Sequence, residues 1–197
     1  MLSVQPDVLR GIGALAFGSR LKRLSDRVMQ DGVKMYRASG LDFEPKWFPV
    51  FYYLSELGPS SIMDIARGLG ISHPSVSQIA REMTLAKLVS GDKDANDKRR
   101  RVLTLTSYGK GQQASIQAVW QVIEATLVEL LGETGVDFLD CIGTVERALD
   151  RRSLESRFLD KYNPSSREFE IEVFSVALAD AFRLINEEWI NEDFKIE

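Results

Sequence analysis

The chain has 197 residues, of which 44% are hydrophobic, which is enough for one sizeable core and excludes a disordered polypeptide. No uninterrupted apolar run approaches the ~20 residues of a membrane helix, no signal-peptide pattern opens the chain, and Cys141 has no second cysteine to pair with, so we expect a cytoplasmic protein with no membrane contact. The net charge of -4 is unevenly distributed along the chain. Residues 1–110 hold 17 Lys/Arg and 11 Asp/Glu, while residues 111–197 hold 8 Lys/Arg and 18 Asp/Glu. A polyanionic partner is therefore expected to contact the first half.

Two helices are predicted before residue 58. Between Val8 and Met35 the apolar residues recur at three- and four-residue steps, which is the period of an amphipathic helix, and Ser39-Gly40 ends it. An extended segment through Pro45 follows, because proline moves its predecessor out of helical geometry. A second helix with Pro49 in its first turn then stops at Gly58-Pro59.

The next stretch predicts a helix-turn-helix. Ser61 and Asp64 form a capping box for a short helix, Gly70 supplies the turn, and Ser72 caps a second helix that has Pro74 in its first turn. The predicted buried stripe of the second helix consists of Val76, Ile79, Ala80 and Met83. The residues predicted to face outwards are His73, Pro74, Ser77, Gln78 and Arg81. Two short helices joined by a tight turn, the second with a polar outer face, are typical of DNA-binding domains.

A predicted hairpin follows directly. Residues 88–90 and 101–105 have the composition of paired strands, and the tip from Asp92 to Arg100 is rich in Lys and Arg. A hairpin in this position is a wing, which makes the helix-turn-helix prediction much more specific.

Two more amphipathic helices are predicted after the wing. Thr106 caps a long helix to Leu131, and a further helix carries apolar residues from Phe138 to Leu149. Such stripes require a partner helix, so we predict a helical dimerisation layer from residues 8–38 and 106–150 around a winged core at 45–110.

These residues resemble the multiple antibiotic resistance regulator (MarR) family of bacterial winged-helix repressors over roughly residues 10–150. The resemblance lies in the order and spacing of Asp64-Ile65-Ala66, Leu69-Gly70-Ile71-Ser72, Val76-Ser77-Gln78, Leu88-Val89, Asp97-x-Arg99 and Leu105-Thr106-x-x-Gly109. It implies a homodimer with intertwined terminal helices on a palindromic operator, with the helix after Ser72 in the major groove. It also implies that Arg99 enters the minor groove and that Asp97 holds it. The sequence departs from the family at the wing tip, where Asp94-Ala95-Asn96 replaces a proline-containing turn.

The side-chain chemistry supports DNA contact at these positions. Gln78 can pair with adenine, and Arg81 can reach guanine or phosphate. The serines near the helix start suit phosphate oxygens, and the wing cations add a salt-dependent term. The full predicted DNA-binding set is Ser72, His73, Pro74, Ser75, Ser77, Gln78, Arg81, Lys93, Asp97, Lys98, Arg99, Arg100 and Arg101.

Other candidate sites have simpler interpretations. A lone histidine, His73, with one distant cysteine is a poor metal site, and Cys141 on an apolar face is predicted to be core rather than a redox switch. Five aromatic residues could line a pocket for a small aromatic effector, although plain core is the favoured interpretation: Trp47, Phe48, Phe51, Tyr52 and Trp120. No cofactor, metal or catalytic residue is predicted.

The C-terminal tail differs from the rest. Residues 151–166 are predicted to be a polar linker, and residues 167–197 a strand and a helix that resemble the opening of a GNAT-type acetyltransferase fold. Because Glu197 precedes any glycine-rich loop for acetyl-CoA, we expect no acetyltransferase activity. One strand and one helix cannot bury their own apolar surface, so the tail is expected to dock on the dimer body or to pair with the other subunit's tail.

The sequence therefore predicts a mainly α winged helix-turn-helix protein with a helical dimerisation layer and a C-terminal strand-helix extension. The predicted function is a sequence-specific, non-enzymatic transcription regulator that binds double-stranded DNA as a homodimer and acts as a repressor. Two alternatives stay open: the regulatory half of an acetyltransferase fusion, and a winged-helix module that contacts proteins rather than DNA.

Overall fold

The computed structural model describes residues 7–93, 101–162, 179–180 and 183–184. The helices are α1 (Val8–Gly11), α2 (Phe17–Ala38), α3 (Phe48–Leu57), α4 (Ile62–Leu69), α5 (His73–Leu85), α6 (Ser107–Gly132), α7 (Phe138–Arg151) and α8 (Leu154–Leu159). The strands are β1 (Ser60–Ser61), β2 (Val89–Lys93) and β3 (Arg101–Leu105), and 3-10 turns span Gly13–Ala16 and Pro45–Trp47. The chain divides into two compact units, Met1–Val136 and Asp137–Glu197. The mainly α winged-helix prediction is confirmed.

The sheet of the first unit is small and antiparallel, in the order β1-β3-β2. In the predicted wing hairpin Val89 pairs with Leu105 and Lys93 with Arg101. The sequence analysis missed β1, in which Ser60 pairs with Leu103. A two-residue strand is too short to show an alternating pattern in the sequence. Its pairing is seen only once β3 lies beside it in the folded chain.

The core of the first unit lies between the sheet and the helices α3 to α6. Its largest fully buried side chains come from every one of these elements: Phe51, Ile65, Met83, Leu103, Ile116, Val50, Val76 and Val89. Each such side chain contributes roughly 1.5–3 kcal/mol by leaving water. The core therefore fixes the orientation of α5, whose residues Val76, Ala80 and Met83 are buried.

Side-chain caps begin three of the helices where the sequence predicted them. Ser61 accepts a hydrogen bond from the Asp64 backbone N–H, and Ser72 accepts one from Ser75. Thr106 Oγ1 accepts from Gly109 N–H at 2.9 Å and also donates to the Lys87 carbonyl at 2.6 Å. The cap of α6 thus ties that helix to the segment before β2 as well as starting it.

The structure differs from the predicted secondary structure in two segments. The single helix predicted from Val8 is interrupted by the 3-10 turn that begins at Gly13, where φ is +71° and glycine avoids the Cβ clash. The segment predicted as a polar linker contains α8, which Ser153 caps by accepting from Ser156 N–H. The division between the two compact units falls after Val136. The predicted tail lies outside the described residues, apart from 179–180 and 183–184, which are helical.

One helix of the described residues is long and apolar enough to cross a membrane by length and composition, namely α6. Polar and charged residues interrupt its apolar ones, so α6 meets this criterion on average composition and contains no long uninterrupted apolar run. Two contacts hold α6 to the rest of the first unit: its Ile116 side chain is buried in the core, and the Trp120 indole N–H donates to the hydroxyl of Tyr36 on α2 at 2.9 Å.

Gly109 of α6 lies against the backbone of Leu88, directly before β2, and this close approach generates a stability prediction. A Cβ at this position would collide with the backbone carbonyl oxygen of Leu88, whereas nothing lies within 4 Å of a Cβ at Gly111 in the same helix. Gly109→Ala should destabilise the protein by about 1–3 kcal/mol or more, because neither backbone can yield cheaply. The matched control Gly111→Ala should stabilise it by about 0.5–1 kcal/mol. Urea unfolding at one protein concentration measures both, and equal effects would contradict the close approach.

Candidate nucleic-acid interface

The exposed face of α5 is the candidate site. Because Val76, Ala80 and Met83 are buried on one side of the helix, Gln78 and Arg81 project from the other side and are exposed. A shallow, open depression of about 430 Å³ lies on this face, lined by Pro74, Ser77, Gln78, Arg81 and Glu82. His73 and Ser75 are also exposed, at the start of the helix. The structure thus brings together on one surface the α5 residues that the sequence predicted.

The start of α5 carries a cluster of hydroxyl groups. Ser72 Oγ lies 2.8 Å from Ser75 Oγ and accepts a hydrogen bond from the Ser75 backbone N–H at 3.3 Å. Both residues are exposed. Free backbone N–H groups at a helix N-terminus, together with hydroxyl donors, form a surface that is suited to phosphate oxygens.

Glu82 forms a second cluster that the sequence analysis did not identify. Its Oε2 accepts from Lys46 Nζ at 2.7 Å and from the Trp47 indole N–H at 3.0 Å, while its Oε1 accepts from Gln78 Nε2 at 3.4 Å. The hydrogen bonds from Lys46 and Trp47 lower the pKa of the Glu82 carboxyl below its ordinary value of 4.5. Lys46 and Trp47 lie more than thirty positions away along the chain, so no local sequence pattern marks this contact.

Only part of the predicted wing contact can be located. The β2–β3 ladder pairs Lys93 with Arg101, at the end of the ladder opposite the Val89–Leu105 pair. The remaining wing residues of the prediction lie outside the described residues: Asp97, Lys98, Arg99 and Arg100.

The five aromatic residues of the predicted effector pocket fall into two groups. Trp47 and Phe51 are buried in the core, and both contact Phe43 edge-on. Phe48 and Tyr52 are 40% and 47% exposed, and their ring centroids lie 4.9 and 5.8 Å from that of the half-buried Trp120. These three form an accessible aromatic patch.

Tyr36 anchors that aromatic patch from α2. Its hydroxyl accepts the Trp120 indole N–H at 2.9 Å, and burial raises the pKa of the Tyr36 phenol despite this hydrogen bond, which acts in the opposite direction. The phenol therefore stays neutral over the ordinary pH range and holds Trp120 in a fixed position beside Phe48.

The remaining candidates carry no site. Within the described part of the chain no cluster of His, Cys, Asp or Glu could hold a metal ion. The expectation that Cys141 is core was wrong for the single chain, because the thiol is free and exposed on α7. The apolar residues Leu139 and Ile142 beside it are exposed as well.

Comparisons with known proteins found one family model and several solved structures that resemble this chain. A model of the MarR family matches residues 39–100. The transcriptional repressor CouR, solved on a 23-mer DNA duplex, is 25% identical, with 68% of this chain and 96% of that one covered and a TM-score of 0.54. Reduced AbfR bound to DNA is 23% identical, with coverage of 73% and 99% and a TM-score of 0.50. A MarR family regulator from Neisseria meningitidis is 17% identical, with coverage of 68% and 92% and a TM-score of 0.50. The last two similarities show the fold alone.

A comparison with curated protein sequences found no significant match.

The Glu82 cluster predicts a pH dependence. A carboxyl group whose pKa is lower in the folded protein stabilises it fully above the unfolded value near 4.5, and this contribution is lost as the pH falls through the folded value. The difference in free energy of unfolding between the wild type and Glu82→Gln should therefore shrink as the pH is lowered from 7 to 3. Glu56→Gln, which removes an exposed carboxylate from α3, controls for the loss of charge. Urea unfolding at each pH tests this, and a constant difference would contradict it.

Proposed function

We propose that this protein is a MarR-family transcription regulator, a repressor that binds a palindromic operator as a homodimer, because a model of that family matches residues 39–100 and a repressor solved on DNA has a similar fold. The observation that carries the proposal is the exposed face of α5, where Gln78 and Arg81 flank an open depression on a helix whose other side is buried. A helix held in this way can enter a major groove without losing its own packing.

The proposed division of labour on α5 follows from its chemistry. Gln78 offers one acceptor and two donors and suits the adenine edge, while the Arg81 guanidinium suits guanine or a neighbouring phosphate. We propose that Ser72, Ser75 and Ser77 bind phosphate oxygens and thereby fix the position of α5 along the duplex. His73 and Pro74 are proposed to pack beside the DNA backbone.

The wing is proposed to bind the adjacent minor groove. Arg99 would enter the groove with Asp97 holding it, because a narrow minor groove concentrates negative potential. Lys93, Lys98, Arg100 and Arg101 would contact phosphates and strengthen binding at low salt. The positive balance of the first half of the sequence favours this arrangement.

Unpartnered apolar surface supports the homodimer. On α2 the side chains of Leu21, Leu24, Val28 and Met29 are 38–46% exposed, and the second half of α6 exposes Val122, Val128 and Leu130. In the second unit, α7 exposes Leu139, Ile142, Val145 and Leu149. Several large apolar side chains in one stripe mark an interaction surface. A second copy of the chain would cover these faces and place two α5 helices for two half-sites.

The aromatic patch is proposed as the effector site. Phe48 and Tyr52 on α3 and Trp120 on α6 offer accessible rings in contact with one another. A small aromatic ligand stacked there would release DNA by changing how α3 and α6 pack.

No catalytic role is proposed for any residue, and a cytoplasmic location is proposed because the operator is there. The tail, residues 167–197, is proposed to dock on the dimer or on its partner tail.

The DNA interface can be tested by substitution. Gln78→Ala should lose about 1–3 kcal/mol of discrimination at one base position, because the bidentate base contact disappears. Arg99→Ala should weaken binding to all sequences and reduce the salt slope by about 1. Arg151→Ala removes the same charge from α7 and serves as the control. The measurement is a fluorescence binding titration across a salt series with competitor DNA. Unchanged binding by both variants would instead favour a protein-contact module.

The dimer can be tested on α2. Leu24→Glu places a charge in the proposed interface and should shift the protein towards monomer, because a carboxylate is costly to bury. The control is Leu57→Glu, at an exposed leucine at the end of α3. Sedimentation velocity at several concentrations measures the shift, and a dimer as stable as the wild type would rule out this face.

A further inference from the structure

The buried Trp47 indole is a rigid anchor beside the candidate interface. Its side chain is 7% exposed and packs edge-on against Phe43, with ring centroids 5.7 Å apart. A buried indole N–H requires an acceptor, and Glu82 Oε2 supplies it at 3.0 Å. Glu82 is therefore held from the core side by a group that cannot move freely.

Lys46 holds the same carboxylate oxygen from the solvent side. Its ammonium lies 2.7 Å from Glu82 Oε2, so both strong donors bind one oxygen and leave Oε1 directed at Gln78. The lysine also neutralises a negative charge on a surface that is proposed to face phosphates. A carboxylate at this position can therefore belong to a DNA interface without repelling the ligand.

The contact with Oε1 decides which way the Gln78 amide faces. Only the NH₂ end of an amide can face a carboxylate, since the carbonyl oxygen would be repelled. Gln78 Nε2 lies 3.4 Å from Glu82 Oε1, which leaves its second N–H and its carbonyl oxygen for a base. Adenine requires one donor and one acceptor in a fixed order, because its N7 ring nitrogen accepts a hydrogen bond and its N6 amino group donates one.

We propose that Glu82 is a specificity-determining positioning residue, which fixes the orientation of the Gln78 amide for base recognition while Lys46 and Trp47 hold Glu82 in place. This inference rests on the proposed function, since it places Gln78 in the DNA interface. A free amide can turn over and present its donor and acceptor in the opposite order, so it accepts more than one base at the same position.

Glu82→Gln is the sharpest variant. Its new amide can still accept from Lys46 and Trp47 through oxygen, but its NH₂ end then faces Gln78 and favours the reversed Gln78 amide. A merely structural Glu82 would change affinity for all sequences alike. An orienting Glu82 changes the base preference at one position only.

The experiment compares base preferences on duplex DNA selected from a random-sequence library by the wild-type protein. Affinities for all four bases at each operator position are measured for the wild type, E82Q, Q78A, Q78A/E82Q and the charge control E56Q. Discrimination at the Gln78 position should fall at least about fivefold in Q78A and several-fold in E82Q. Other positions and E56Q should keep the wild-type pattern. Adding E82Q to Q78A should cause no further loss of discrimination, because Glu82 acts through Gln78.

The outcomes separate the two proposals. If the wild type selects no sequence, the proposed function fails and this inference fails with it. If the wild type and Q78A behave as expected but E82Q keeps the base preference, or lowers it equally in the Q78A background, only the role of Glu82 is overturned. Thermal unfolding checks that each variant folds.

Trp47→Phe keeps the buried ring but removes the indole donor, and it should also relax the preference at the Gln78 position. Retained preference in that variant overturns the role assigned to Trp47.

Discussion

The burial of one stripe of α5 is the constraint on which the candidate interface depends. Val76, Ala80 and Met83 enter the core with almost no exposed surface, and the geometry of the helix then fixes which residues point away. The polar face around Gln78 and Arg81 is thus determined by what the opposite face buries. A change in core packing around Met83 would rotate or tilt the whole face, even though no surface residue had changed.

Caps and close contacts then fix the ends of the elements that carry the site. Ser72 starts α5, and Thr106 starts α6 while bonding to the carbonyl of Lys87 before β2. Gly109 lets the backbone of α6 approach Leu88 as closely as it does. α5, the β2–β3 ladder and α6 therefore pack closely together at one corner of the first unit. A surface that is proposed to match a groove over several base pairs needs such close packing behind it.

The Glu82 cluster connects α5, at this corner of the first unit, to the aromatic residues of the core. Trp47 contacts Phe43 edge-on, and Phe43 in turn contacts Phe51, Tyr36 and Trp120. The proposed effector patch and the proposed base-reading residue therefore share a chain of packed rings and hydrogen bonds.

The sequence by itself determined the features that arise within a few residues. Helix caps at Ser61, Ser72 and Thr106, the turn at Gly70, the apolar periodicity of α5 and the alternating wing strands all depend on neighbours at most four positions apart, so one chain segment is enough to predict them. Only the tertiary structure decided the pairing of β1 with β3 and the meeting of Lys46, Trp47 and Glu82. It also separated the aromatic residues into core and exposed patch. These contacts join segments that are distant in sequence, and their geometry exists only after the core has packed.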